Sequence, residues 1–148
     1  MKLLPLTAAA VLITASIATA QQGMPGAHFV ENWDLDEDGK VTLAEATERR
    51  GDVFASFDSD DNGSLSATEY DDFDAAREAD MNENGGQKGH GRGQMRKVQE
   101  GLTREFNDTD ANGEVSLEEF LTRTADWLAI IDRTQDGEIT TDDFGQRG

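Results

Sequence analysis

The sequence predicts an all-α helical bundle whose helices are joined by four short acidic loops. The first observation is a repeat: acidic residues around a central glycine recur with one spacing in four twelve-residue segments, 34–45, 58–69, 108–119 and 132–143. The second is that apolar residues between these segments recur at steps of three and four, which places them on one face of an α-helix. The chain has no cysteine, so disulfides do not contribute to this fold.

The repeated segments place oxygen-bearing side chains at regular positions. In the segment 34–45, here named loop 1, acids stand at positions 1, 3, 5 and 12, and Gly39 makes the sharp turn at position 6. Loop 2 (58–69) and loop 3 (108–119) repeat this pattern with Asn at position 5. Calcium is a hard cation that takes about six to eight oxygen ligands, so a loop that binds it must bring several carboxylates together. The pattern therefore indicates a metal site in each loop.

This pattern resembles the calcium loop of the EF-hand superfamily. The resemblance implies an EF-hand helical bundle with four calcium-type loops, in which the carbonyl at position 7 is a further ligand and apolar residues at position 8 form short β-bridges between paired loops. The apolar residues at position 8 are Val41, Leu65, Val115 and Ile139. The candidate metal ligands are Asp34, Asp36, Asp38, Lys40 and Glu45 in loop 1, Asp58, Asp60, Asn62, Ser64 and Glu69 in loop 2, Asp108, Asp110, Asn112, Glu114 and Glu119 in loop 3, and Asp132, Thr134, Asp136, Glu138 and Asp143 in loop 4.

Loop 4 (132–143) departs from the pattern at two positions. It has Thr134 at position 3 and Asp143, whose side chain is shorter than that of Glu, at position 12. Because a shorter acid reaches the ion less easily with two oxygens, both changes disfavour a large coordination shell. We expect up to four Ca²⁺ ions, bound most strongly by loop 1, then by loops 2 and 3, and only weakly or with a preference for Mg²⁺ by loop 4. Position 9 is a hydroxyl residue in all four loops, and it can bind an ion directly or hold a water: Thr42, Ser66, Ser116 and Thr140.

The spacing of the loops predicts an unusual pairing. Loops 1 and 2, and loops 3 and 4, each begin 24 residues apart, so only 12 residues, 46–57 and 120–131, separate them. One helix must then serve both loops, and a helix over residues 43–58 is about 24 Å long, which puts its two loops at opposite ends. Two such helices packed antiparallel would pair loop 1 with loop 4 and loop 2 with loop 3.

Apolar stripes support these two helices. The second is the stronger of the two, and its stripe consists of Leu117, Phe120, Thr124, Trp127 and Ile131, widened by Leu121 and Leu128. The first stripe consists of Leu43, Ala46, Val53 and Phe57. Arg50 interrupts this stripe, and Gly51 lowers the stability of the helix by about 1 kcal/mol. Two further helices are predicted over 70–79 and 95–106.

The chain divides into four parts. Residues 1–20 read as a secretory signal peptide, because Lys2 precedes an apolar run and small residues at 18–20 form a cleavage site. Loops 1 and 2 belong to residues 21–83, a glycine-rich linker covers 84–94, and loops 3 and 4 belong to 95–148. We therefore expect a periplasmic or secreted protein without stable membrane insertion after cleavage.

The charge of the chain favours cations as partners. The formal net charge of −18 opposes binding to nucleic acid. Because the acids of an empty loop repel one another, we expect the metal-free chain to be loosely folded and metal to order it. No cysteine nucleophile is present, and no serine stands in a nucleophile-elbow pattern, so we expect no enzymatic activity.

Three roles fit these features. The first is an exported calcium-binding protein that acts as a buffer or low-affinity sensor, because EF-hand modules outside the cell work at roughly 10⁻⁴ to 10⁻³ M calcium. The second rests on the export signal and short spacing, which resemble the lanthanide-binding lanmodulins. This chain lacks their proline at position 2, where it has Leu35, Ser59, Thr109 and Arg133. The third is a calcium-dependent docking module for another exported protein, similar to dockerins in its short-spaced loops.

Overall fold

The computed structural model describes residues 24–84 and 92–145. The predicted signal peptide and most of the predicted glycine-rich linker lie outside these residues. The described part is mostly helical with one small sheet, which confirms the all-α class. Its elements are α1 Ala27–Trp33, α2 Leu43–Phe57, β1 Ser64–Leu65, α3 Ala67–Asn84, α4 Arg92–Glu100, α5 Arg104–Asn107, β2 Val115–Ser116, α6 Leu117–Thr122, α7 Thr124–Ile131 and α8 Thr141–Phe144.

The loops pair across the molecule, as the 24-residue interval predicted. Strand β1 of loop 2 pairs antiparallel with β2 of loop 3, with Leu65 opposite Val115. In the other pair, Val41 of loop 1 and Ile139 of loop 4 form an isolated antiparallel bridge through two N–H···O bonds of 2.8 and 3.0 Å. All four of these position 8 side chains are buried. Each bridge therefore closes one end of the core.

Helix α2 is continuous through Gly51, but its buried face is not the predicted stripe. Leu43 is exposed, and the buried residues are Ala46, Arg50 and Phe54. Arg50 interrupts the apolar stripe predicted from the sequence, but in the structure it lies between Ala46 and Phe54 at the centre of the buried face. Charged residues are rarely buried without partners, and the Arg50 guanidinium has oxygen partners and lies over the Phe120 ring, as described below.

The second predicted helix is divided into α6 and α7 at Arg123, and its first stripe residue, Leu117, is exposed. In a regular helix the Phe120 carbonyl would accept from the Thr124 N–H. Here the Phe120 carbonyl accepts from Nε and Nη2 of Arg50, at 3.0 and 2.7 Å. The Thr124 hydroxyl donates to the Leu121 carbonyl at 2.7 Å. A side chain from α2 thus takes the carbonyl that would otherwise continue the helix.

The helix predicted over 95–106 is also divided. It begins earlier, at Arg92, so residues 92–94 of the predicted linker are helical, and the buried Gln94 side chain donates to the Ile131 carbonyl at 2.8 Å. Helix α4 ends at Glu100, and α5 starts after Thr103, whose hydroxyl accepts from the Phe106 N–H. The turn between them holds Gly101 against the ring of Trp127.

An aromatic cluster fills the end of the core beneath loops 1 and 4. Trp127 is fully buried and donates from Nε1 to the Val98 carbonyl at 3.0 Å. Its ring meets Trp33 and Phe29 edge-on, with centroids 4.6 and 5.9 Å away, and Phe29 also contacts Phe144. Within the described residues, no helix is long and apolar enough to cross a membrane.

Two glycine substitutions test this packing. A Cβ on Gly101 would lie 1.8 Å from Cδ1 of the buried Trp127, whereas a Cβ on Gly51 would be 4.0 Å from its nearest neighbour, on Leu121. We expect Gly101→Ala to lower the free energy of unfolding by about 1–3 kcal/mol through overpacking. The matched control Gly51→Ala should raise it by about 0.5–1 kcal/mol, because glycine weakens a helix interior. Urea unfolding of both variants measures the difference, and equal effects would contradict the described packing.

Candidate metal centre

The four loops share one backbone conformation. Each has a non-glycine residue with positive φ at position 4, and φ at these residues lies between 54° and 61°: Glu37, Asp61, Ala111 and Gln135. Each also has a glycine with φ between 81° and 91° at position 6: Gly39, Gly63, Gly113 and Gly137. Only glycine adopts such a conformation readily, which explains the glycine at the same position in every loop. Loop 4 has this backbone despite its sequence departures.

The acid at position 1 holds the turn from within. In loop 1, Oδ2 of Asp34 accepts from the Gly39 N–H at 2.7 Å. The equivalent bonds in loops 2, 3 and 4 are 2.9, 2.9 and 2.8 Å long. At position 5, Oδ1 of Asp38 accepts from the Lys40 N–H at 3.0 Å, with matching bonds in the other loops. Backbone N–H groups therefore orient the side chains at positions 1 and 5, which the sequence predicts as metal ligands.

The acid at position 12 ties the two ends of its loop together. In loop 2, Oε1 of Glu69 accepts from the N–H and hydroxyl of Ser59, at 2.8 and 2.7 Å. Its Oε2 accepts from the N–H and hydroxyl of Ser66, at 2.9 and 2.8 Å. Glu119 makes the same bonds to Thr109 and Ser116 in loop 3.

These hydrogen bonds favour the ionised form of the closing acids. Bonds from the Ser59 hydroxyl and from Ser66 lower the pKa of Glu69 to about 2. Burial pushes the pKa of Glu119 upward, but bonds from Ser116 and Thr109 outweigh it and lower this pKa to about 2 as well. A carboxylate that stays charged is a metal ligand over a wide pH range.

The hydroxyl at position 9 has a role that the sequence reasoning missed. Thr42 accepts from the Glu45 N–H while the Glu45 side chain accepts from the Thr42 N–H, which is a capping box at the start of α2. Ser116 and Thr140 do the same for α6 and α8. The Ser or Thr at position 9 and the acid three residues later were the available signal. In loops 1 to 3 these hydroxyls cap a helix and donate to the closing acid, and in loop 4 the Thr140 hydroxyl accepts from the Asp142 N–H at the start of α8.

Carboxylates converge in three of the loops. Among the described residues, three clusters offer carboxylate oxygens that all lie within 4.8 Å of one another: Asp34, Asp36 and Asp38 in loop 1, Asp58, Asp60 and Glu69 in loop 2, and Asp108, Asp110 and Glu119 in loop 3. Burial raises the pKa of Asp36, and the acids around it, Asp38 first, raise it further. Like charges brought this close favour a bound cation, and these hard oxygen donors fit a calcium ion.

A comparison with protein families agrees with this chemistry. Residues 124–146 match the family model for the EF hand. No curated protein and no solved structure matches the chain. The match covers α7, loop 4 and α8, and it supports, together with the three carboxylate clusters, the EF-hand family and calcium binding. The EF-hand match thus falls on the loop whose ligand set departs most from the family pattern.

Loop 4 has the backbone conformation of the other three loops with a smaller closing acid. Oδ1 of Asp143 accepts from the N–H groups of Arg133 and Thr134 at 2.8 and 3.0 Å, and Oδ2 accepts from the Thr140 N–H at 2.9 Å. Asp143 is fully buried. The Thr134 hydroxyl lies 3.1 Å from Oδ1 of Asp143, in the place where the other loops have a carboxylate. Loop 4 therefore has one acid fewer than loop 1 at these positions, and its closing acid has a shorter reach than the Glu of the other three loops.

An ion pair joins the two loops of this pair. Nζ of Lys40 lies 2.9 Å from Oε2 of Glu138, and both residues stand at position 7 of their loops. The hydrogen bond and charge of Glu138 raise the pKa of Lys40. The expected metal ligand at position 7 is the backbone carbonyl, not the side chain. The side chains of Lys40 and Glu138 can therefore link loop 1 to loop 4.

A reciprocal exchange of closing acids tests the ranking of the loops. We expect Asp143→Glu to increase the calcium affinity of loop 4, and Glu119→Asp to lower that of loop 3, each by about tenfold, because Glu reaches an ion with two oxygens more readily. The amide resonances of Gly137 and Gly113 report the two loops separately, since each amide donates to the position 1 acid. The Gly63 resonance is the control. Unchanged affinity in both variants would contradict this role of position 12.

Proposed function

We propose that the protein is an exported calcium-binding protein whose four loops bind ions as two pairs, loop 1 with loop 4 and loop 2 with loop 3. The observation that carries the proposal is the convergence of three carboxylates within 4.8 Å in each of loops 1 to 3. The EF-hand match over residues 124–146 supports a fourth site in loop 4. Thr134 at position 3 and the short closing acid Asp143 argue that this site has reduced calcium affinity or a preference for Mg²⁺.

Calcium binding at low affinity suits the ligand sets. Loops 2 and 3 have the neutral Asn62 and Asn112 at position 5, and position 9 is a hydroxyl engaged in helix capping. Affinity in such loops rises with the number of charged ligands. The same shortage of acids argues for calcium over lanthanides, which carry a higher charge. We therefore favour a buffer or low-affinity sensor over the lanmodulin-like alternative.

The proposed location follows from the amino-terminal sequence. The basic Lys2, the apolar run after it and the small residues at 18–20 have the organisation of a secretory signal. A periplasmic or extracellular location agrees with sites of low affinity, because calcium outside the cytosol is more concentrated. It also agrees with the net charge of −18, which attracts divalent cations.

Calorimetric titration with calcium, magnesium and terbium tests the metal assignment. We expect Asp58→Asn to remove one of the stronger calcium binding events, because it takes a charge from the carboxylate cluster of loop 2. The matched control is Asp52→Asn, which removes the same charge from an exposed position on α2 outside the loops and should bind calcium as the wild type does. Nanomolar terbium binding beside millimolar calcium binding would instead support a lanthanide-binding protein.

Docking to another exported protein is the second candidate role, and one feature favours it. A half-open groove of about 240 Å³ runs between α1, α2, α3 and α4, and its apolar wall includes Trp33, Phe57, Phe73 and Met95. A hydrophobic dye added during a calcium titration separates the two roles. For a buffer we expect dye fluorescence to stay constant or fall as calcium tightens the core. A calcium-dependent increase would support docking.

A further inference from the structure

A buried polar network lies between the two long helical segments. Its centre is the fully buried Arg50, whose Nη2 donates to Oδ1 of Asn107 at 2.5 Å and whose Nη1 lies 3.3 Å from the Gly101 carbonyl. The guanidinium also donates twice to the Phe120 carbonyl and lies over the Phe120 ring, 3.9 Å from its centroid. These oxygens and the ring face replace the water that the charge loses on burial.

Asn107 extends the network to a third helix. Its Nδ2 lies 3.2 Å from the hydroxyl of Tyr70, which in turn donates to the Leu102 carbonyl at 2.7 Å. The same Nδ2 donates to the Thr103 carbonyl at 2.8 Å. Asn107 and Tyr70 are both fully buried. Each polar group of the Asn107 side chain therefore has a partner from a different part of the fold.

The members of the network are neighbours of candidate ligands along the chain. Asn107 directly precedes Asp108, the first acid of loop 3, and Phe120 directly follows Glu119, its closing acid. Tyr70 directly follows Glu69, the closing acid of loop 2. The equivalents of Asn107 before the other three loops are apolar: Trp33, Phe57 and Ile131. The network thus holds both ends of loop 3 and one end of loop 2.

We propose that Asn107 is a positioning residue for the metal sites of loops 2 and 3. Through Arg50 and Tyr70 it sets the first acid of loop 3 relative to the closing acids of both loops. The inference rests on the proposed calcium function. Groups behind the ligands orient them, and their loss typically lowers metal affinity by about 10–100-fold.

Substitutions in the network separate positioning from simple packing. Asn107→Leu places an apolar residue directly before loop 3, where the other three loops also have one. It removes Oδ1 of Asn107, which accepts from Nη2 of Arg50. The double variant Arg50→Met with Asn107→Leu removes both members of the Arg50–Asn107 pair, so no buried charge is left without this partner, and such paired replacement costs less stability than a single one. Tyr70→Phe is a milder variant that deletes only one hydroxyl. It tests the inference even where Asn107→Leu or the double variant fails to fold. Ile131→Val is the packing control before loop 4.

The affinity of each loop is read from the amide resonances of Gly39, Gly63, Gly113 and Gly137 during calcium titration. We expect Asn107→Leu to weaken loops 2 and 3 by about tenfold and to leave loops 1 and 4 within about twofold. Tyr70→Phe should weaken the same two loops by a smaller factor. In the presence of chelator the double variant should recover part of the stability to urea that Asn107→Leu loses. It should keep the weakened affinity, because the bonds made by Asn107 are still missing.

Two outcomes would overturn the inference. One is an equal loss of affinity in all four loops, which would show a general effect on the fold. The other is a double variant whose loops 2 and 3 recover affinity together with stability, which would show that packing alone is responsible. Failure of the proposed function has a different signature: no glycine resonance of the wild type would respond to calcium, whereas the stability differences measured in chelator would persist.

Discussion

The burial of the Arg50 guanidinium is the interaction on which the rest of the structure depends. It connects α2 to the junction of α6 and α7 through the Phe120 carbonyl, and to the segment before loop 3 through Asn107. Its charge is expensive to bury, and burial lowers the pKa of Arg50 to about 9. The five donors of a guanidinium form a rigid fork, so the oxygens around it must take fixed places. That requirement fixes how the two long helical segments sit against each other.

The second constraint is the length of the connections between loops. A connection of 12 residues has no room for two helices and a turn, so α2 joins loop 1 to loop 2 directly. The loops at its two ends must find partners on the other helical segment, which the two β-bridges supply. Each pair therefore combines one loop from the first half of the chain with one from the second. Binding at either pair involves both halves.

The closing acids connect the metal chemistry to the fold. In each loop the acid at position 12 accepts from backbone amides at both ends of the loop, and it completes the N-cap of the helix that follows. A bound ion would share this carboxylate with the loop amides and the helix cap. Loading a site would then act on the start of the helix that follows the loop.

The sequence by itself determined the local pattern of the loops and indicated a hypothesis for their pairing. The glycine at position 6 has no substitute at positive φ, and the acids at fixed spacing and the apolar position 8 are local patterns, so they were readable without the fold. The 24-residue interval opposed pairing between neighbouring loops, because helix length is a matter of geometry alone, and it made the cross-pairing a hypothesis. The two β-bridges of the structure then identified the partners. Tertiary structure decided the rest. The burial of Arg50, the division of the second helical segment at Arg123 and the polar Asn107 before loop 3 each appeared in the sequence as an isolated irregularity. They are parts of one network whose members are up to 70 residues apart, and no local pattern reveals which distant groups will satisfy a buried charge.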